Sequence, residues 1–522
     1  MNKKILSMLL VLCMVMASFA GCAGDSGGSA GSGAASKAET SANAGTNSSE
    51  AESGADINFD EAPYEINFLY LVAQEGANQS KVAEAVSALA ERELNMTVNL
   101  IPMTFGTYNQ QISMMLAANE PLDLFPAWST NYSTYIDSQY VVDMVPYLDY
   151  AQDAIAVLGD DAFVGYIGDF LIGFGQMKER SYPAGLVVRK DLFEELGYSV
   201  DDFSVTTDDY TSFDQITDLF AAVKEAYPTM VALDGTSIMG YQTESYMDNL
   251  GSVYGVLENY GQTTTVTNWF ESEQYRTFCD IARDWFTKGY SSSDIAVNQD
   301  SGEIKIKAGN CFSYITNVKP NTDVEKLAQT GYEVEVIYLS DKMKHTNAVN
   351  SGLYVIANAS KDPQKAMQFL NWTYTSREFE DLINWGIEGE DWVETQEGLA
   401  AYPEGIDATN VGYHNDFGFI YPNQFVGHAW EGNPTDIWDQ YGVYNDSLMV
   451  SKAFGFTFNS TVVANEEAQL ISVYEQYGKD LAFGAVDIET TLKEFNDALY
   501  AAGLQTVIDA KQSQLDEWLA EQ

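Results

Sequence analysis

Three histidines, His345, His414 and His428, are the only imidazoles in the 522 residues, and none pairs with another at the spacing of a zinc-binding helix. No G-x-S-x-G turn marks a strained nucleophile. The 76 acidic side chains offer many carboxylate pairs, but cleavage of a glycosidic bond needs two at a set separation across a cleft, which spacing along the chain does not encode. His414 and His428 stand singly in aromatic loops and read as hydrogen-bonded residues rather than metal ligands. No catalytic residue, metal or cofactor is therefore assigned. More telling are aromatic rings set among short polar side chains outside apolar runs: PAWSTNY (126–132), INWGIEGEDW (383–392) and PNQFVGHAWEGNPTDIWDQY (422–441). A tryptophan or tyrosine face beside amides and hydroxyls suits a neutral amphipathic ligand, stacking on its apolar side and hydrogen-bonding its polar edge.

The chain opens with Lys3 and Lys4, then an apolar run from Ile5 to Ala20 broken only by Ser7 and Ser18. This is the layout of a secretory signal, and it is too short to span a bilayer comfortably. Ala20, Gly21 and Cys22 resemble the bacterial lipobox, with Phe19 where leucine is commonest. The resemblance implies a signal peptide over 1–21, cut before Cys22, and a lipid on the Cys22 sulfur. Residues 22–56 are mostly Gly, Ala, Ser, Thr, Asn and Glu, which cannot bury enough apolar surface to offset the entropy of ordering, so they read as a flexible tether. A net charge of −50 excludes nucleic-acid binding through clustered Lys and Arg and favours neutral or cationic partners. Cys279 falls in a helical pattern and Cys311 in a buried strand, where lone cysteines behave as small hydrophobes.

The elements that carry these residues alternate. YEINFLYLV (64–72) reads as a buried strand, and the next segment spaces Val82, Val86, Leu89 and Ala90 as one helix face. MTVNLIPM (96–103) is a second strand, YNQQISMMLAANEP a helix stopped by Pro121, and LDLFPAW (122–128) a third strand. This rhythm predicts βαβ units in a mainly parallel sheet with helices on both faces. Such sheets bind ligands beyond the carboxyl ends of their strands, which directs attention to the loop STNYSTY after Trp128. The aspartates of 201–214 read as a solvated loop and helix face, lacking the spacing of a calcium loop. Asp362 with Pro363, and Asp487, read as helix N-caps, and Gly503 as a C-cap.

The order of segments resembles the extracellular solute-binding proteins of ABC importers, in the group that captures carbohydrates. The resemblance runs from about residue 62 to the end. It is carried by NEPLDLFPAWSTNYSTYIDSQYVVDMVPYLDYA, YPAGLVVRKDLFEELGY, YRTFCDIARDWFTKGY with IKIKAGNCFSYI, and above all YVIANASKDPQKAMQFLNWTYTSREFEDLINWGIEG. It implies an α/β fold of two periplasmic-binding-protein lobes of type II, with a hinge and an inter-lobe cleft. Lobe 1 is expected over 57–182 with about 335–385. Lobe 2 is expected over 183–334 with about 386–522, including a helical C-terminal region. By the same resemblance Trp128 holds a stacking position, with Asn131 and Tyr132 beside it. Glu179 and Tyr182 sit near the crossing between lobes, Asn317 on the second lobe, and Trp385 and Trp430 in cleft loops. The implied protein is a monomeric receptor that delivers an oligosaccharide to an ABC permease from the outer face of the membrane. A peptide receptor of the same fold and a cell-surface glycosidase are the alternatives.

Overall fold

The computed structural model describes residues 57–204, 211–235, 245–298 and 300–522. The signal, Cys22 and the tether lie outside the described residues, as do positions 205–210 of the acidic stretch.

Strand β1 (Tyr64–Leu71) buries Ile66 and Phe68 to Leu71, the near-continuous apolar run of a strand covered on both faces. Helix α1 (Gln79–Leu94) buries Val82, Val86, Leu89, Ala90 and Leu94 and is stopped by Asn95 in the left-handed region at φ 53°, which turns the chain straight into β2 (Met96–Met103). Helix α2 (Phe105–Ala118) ends the same way at Asn119, before Pro121, and leads to β3 (Leu124–Trp128). A single 3-10 turn over Ser129–Asn131 and the short α3 (Tyr132–Asp137) replace the loop expected after Trp128.

The chain passes to the second lobe between β4 (Gly173–Gly175) and β5 (Ala184–Arg189). That lobe adds β6 (Val231–Leu233), α4 (Glu273–Thr287), β7 (Cys311–Asn317), α5 (Thr322–Thr330) and β8 (Val334–Tyr338). The return passage leads to β9 (Gly352–Ile356), α6 (Pro363–Thr373) and α7 (Arg377–Trp385). A loop region follows, then α8 (Ile437–Asp446) and three closing helices, α9 (Ala464–Ala482), α10 (Ile488–Ala501) and α11 (Leu504–Glu521).

The first sheet runs β2-β1-β3-β9-β4 and the second β8-β5-β7-β6. In the first, β1 is parallel to β2 and β3, but β9 is antiparallel to β3 and to β4. In the second, β5 is antiparallel to β7 and β8, and only β6 and β7 run parallel. The expectation of a mainly parallel sheet is corrected accordingly. The cause is the crossing: β1 and β3 run toward the other lobe, whereas β9 enters from it and must run the opposite way.

Two boundaries also move. Val334–Tyr338 pairs residue for residue with β5 from Arg189 back to Gly185, so the return to lobe 1 comes after Tyr338 rather than at 335. Residues 386–421 were expected on lobe 2, yet Tyr413 and Tyr421 lie in the core built on β1 and α1, where the Tyr421 hydroxyl donates to the Leu71 carbonyl (2.8 Å). Strand direction and sheet membership depend on long-range pairing that a local pattern does not carry.

The C-terminal helices complete lobe 2. Leu470, Phe495, Leu504 and Leu515 share one core with Phe278 of α4 and Leu186 of β5. Their ends follow the sequence: Asp487 Oδ1 accepts the Thr490 N–H (3.0 Å), and Gly503 takes φ 102° before α11. Asp362 caps α6 through the Lys365 N–H (3.2 Å). Cys279 and Cys311 are free and buried.

Candidate ligand-binding cleft

Both sheets turn the same kind of edge toward the space between the lobes. On lobe 1 this edge holds Trp128, the last residue of β3, paired with Gly352, the first of β9. On lobe 2 it holds Asn317, the last residue of β7, paired with Ala184 at the start of β5. A Cβ on Gly352 would stand 2.8 Å from the Trp128 ring, so only glycine lets the indole lie across the strand start. Phe105, at the start of α2, stacks on Trp128 with centroids 6.2 Å apart and planes at 18°, and Tyr108 meets the indole edge-on at 5.8 Å. Phe417 meets Phe105 at 5.5 Å and Phe419 at 5.7 Å. Phe105 is 47 % exposed and Phe419 38 %, so the row is an open aromatic shelf rather than core.

Charges gather beside the shelf. Lys319, two residues beyond Asn317, lies 3.8 Å from Glu179 of the crossing segment and 3.6 Å from Glu325 of α5. Gln424 donates to the other Glu179 oxygen (3.3 Å). Burial opposes ionisation of Glu179, but Lys319 and Lys178 outweigh it and hold the carboxyl below its ordinary value. Burial likewise opposes the Lys319 ammonium, and Glu179 with its neighbouring groups carries it above the ordinary lysine value. Asp416, on a loop of lobe 1 and exposed, is within electrostatic reach of both Lys319 and Glu325.

The residues anticipated from sequence divide. Trp128 and Asn131 are partly exposed at the lobe 1 edge, and Asn317 lies at the facing edge. Glu179 is buried in the charged group just described. Tyr182 belongs to the crossing itself: its hydroxyl accepts from Lys178 Nζ (2.8 Å) and donates to the Ala348 carbonyl (3.3 Å), tying the two passages together. Tyr132 is 1 % exposed, with its hydroxyl donating to the Asn350 carbonyl (2.7 Å), and it borders the cavity beside Ser129 to Thr134 rather than the open shelf. Trp385 is corrected. It is 4 % exposed, donates to the His428 carbonyl (3.0 Å), and serves as backing for Trp430 at 4.9 Å.

Trp430 remains partly exposed and shares a second aromatic group with Tyr402 (4.7 Å) and His414 (4.5 Å). Burial pushes the His414 imidazole down to about 4, so it is neutral there. Among the described residues no cluster of three or more His, Cys, Asp or Glu side chains is placed to hold a metal ion. Sequence reasoning missed Phe105, Phe417, Lys319 and Asp416. Of these only Lys319, close behind the expected Asn317, carried a local signal.

Comparison with known proteins agrees with this architecture. The family described as bacterial extracellular solute-binding protein matches residues 84–387, and a domain of unknown function (DUF3502) matches 452–520, the C-terminal helices. A carbohydrate ABC transporter substrate-binding protein of Streptococcus pneumoniae serotype 4 is 22 % identical over 465 residues, covering 86 % of this chain and 90 % of that protein. The crystal structure of the N-glycan transport solute binding protein NgtS from Streptococcus pneumoniae superposes with a TM-score of 0.75 at 17 % identity, covering 88 % of this chain and 99 % of that one. The same protein in complex with Man1GlcNAc gives 0.67 at 18 % identity, covering 87 % and 99 %. The solute-binding family match alone spans more than half of the sequence, and the two-lobe α/β fold of type II is shared throughout: this chain belongs to the bacterial extracellular solute-binding proteins.

Proposed function

We propose that the protein captures an oligosaccharide between its lobes and presents the closed complex to an ABC permease, working as a monomer from a lipid anchor at Cys22 on the outer face of the cytoplasmic membrane. The observation that carries this reading is the open shelf of Phe105, Trp128 and Phe417 at the carboxyl end of β3, opposite Asn317 and Lys319. Aromatic planes take the apolar faces of sugar rings, and the amide and ammonium across the cleft serve their hydroxyls. The relatives that carry sugar transport in their names support the ligand class. A ligand that touches both lobes stabilises the closed form by its difference in affinity for the two states, and the permease reads that form. The glycan leaves unchanged.

Calorimetry on the full chain in detergent, with mono- and oligosaccharides beside a short peptide panel, tests the ligand. Saturable heat with a glycan, no released reducing sugar and a smaller scattering radius on binding are expected. Peptide binding without glycan binding, or turnover of the glycan, refutes the reading. For the anchor, Cys22→Ser should release the protein from the membrane fraction, and retention there would refute lipidation at this position.

A further inference from the structure

Resting on the reading that the cleft takes an oligosaccharide, we infer that it selects neutral glycans and rejects those bearing carboxylates. Two separate parts of the inter-lobe surface point this way.

The first is the charged group around Lys319. An acidic sugar needs a cation free to meet it, ideally the two-pronged guanidinium of an arginine. Lys319 keeps 28 % of its side chain open, but its charge is already met by Glu179 at 3.8 Å and Glu325 at 3.6 Å, with Asp416 in reach from lobe 1. The other cations nearby are committed as well. Lys178 donates to the Tyr182 hydroxyl, Lys326 lies 3.0 Å from Glu325 and 3.1 Å from Glu303, and the Arg180 Nε lies 2.6 Å from Asp161. Around the open ammonium two carboxylates, Glu179 and Glu325, thus stand within 4 Å, and Lys326 shares the second of them. At 3.6 and 3.8 Å these are charge contacts rather than close hydrogen bonds, so the N–H groups of Lys319 stay available to a neutral hydroxyl. A ligand carboxylate entering there would meet Glu179 and Glu325 beside the one open ammonium and be repelled by both.

The second is the opening on the far side of Trp128. A cavity of about 290 Å³ lies between Ser129 to Thr134 of lobe 1 and Thr457 to Ile471 of lobe 2. Its wall carries seven hydroxyl side chains of Ser and Thr, and its single charged residue is Glu467. Hydroxyls both donate and accept, which suits the hydroxyls of an uncharged sugar, and a lone carboxylate repels an acidic one. Both places therefore present carboxylate and hydroxyl rather than a free cation.

The test is calorimetry on the full chain with matched tetrasaccharides: neutral manno-, chito- and gluco-configured tetramers against tetramannuronate and tetragalacturonate. Binding of at least one neutral tetramer, with both uronates weaker by about tenfold or more, is expected. A uronate binding as tightly as the best neutral tetramer overturns the selection while leaving glycan capture standing. Silence from all five overturns both. The double substitution Asp416→Asn with Glu325→Gln should narrow the neutral-to-acidic ratio. An unchanged ratio, in a variant that still binds the neutral tetramer, would remove these carboxylates as the cause.

Discussion

The second aromatic group hangs on one buried ion pair, which makes Asp381 of α7 a sharp place to perturb. Its Oδ2 lies 2.7 Å from His428 Nδ1 and its Oδ1 accepts the His428 backbone N–H at 2.8 Å. The two side chains are 8 % and 10 % exposed, and His428 in turn offers its carbonyl to Trp385, the backing of Trp430. Asp381→Ala leaves a buried N–H without an acceptor, about 1–3 kcal/mol, and removes a charge-assisted bond, about 1.5–3 kcal/mol, so about 3–5 kcal/mol of stability should be lost. Asp381→Asn keeps the shape and an acceptor and should cost about 1–2 kcal/mol. Equilibrium urea unfolding at pH 6 measures both. Equal losses for Ala and Asn, or a loss below about 1 kcal/mol for Ala, would refute the account.

The pH dependence of this pair has a definite sign. The bond to Asp381 raises the His428 value above its ordinary 6.5, against the opposing effect of burial, and Glu394 adds to the rise. The stability this contributes is complete below the unfolded value and is lost as pH climbs through the folded one. Glu380, the neighbouring buried carboxyl, is raised by burial and by Asp381, and its titration acts in the same direction. His428→Gln leaves both carboxylates in place, so its smaller loss of stability between pH 6 and 8 isolates the histidine. A slope equal to that of the parent would show that His428 does not titrate there.

Trp128→Ala should weaken glycan binding by about 10- to 100-fold in calorimetry, the cost of truncating a central aromatic contact, while Gly352→Ala should weaken it less by displacing the same indole. Asp362→Ala should cost about 1 kcal/mol through loss of the α6 cap, with glycan affinity unchanged. Cys279 and Cys311, both pushed up to about 12 by burial, should resist alkylation until the chain is unfolded.

What the sequence disclosed of the fold is what local chemistry decides. Val82, Val86 and Leu89 define α1 because a helix face repeats along one segment, and Asp362 and Asp487 mark helix starts because a cap satisfies its own next turn. The misassigned stretches, 335–338 and 386–421, have equally clear local patterns. What they lack is any local record of which lobe's sheet or core completes them. Phe105 shows the same limit inside the cleft. It continues the stripe of Tyr108, Ile112 and Leu116 at helical spacing and so reads as core, but at the first position of α2 it overhangs the end of the sheet and stays open.

Tyr132 differs from Trp128 although only three residues separate them: after the single turn of 3-10 helix its ring is buried and borders the hydroxyl-rich cavity instead of the shelf. Trp128 and Asn317 stand apart from these cases because each is the last residue of its strand, beyond whose carboxyl end ligands of such sheets bind. Their pairing with Gly352 and Ala184, the strand starts just after the two passages between the lobes, sets both at the crossing side. The shelf and the charges around it depend instead on four segments far apart in the chain, near 105, 179, 319–325 and 416. They meet only because the passages between the lobes return the chain to the same edge, and that return is a property of the whole fold.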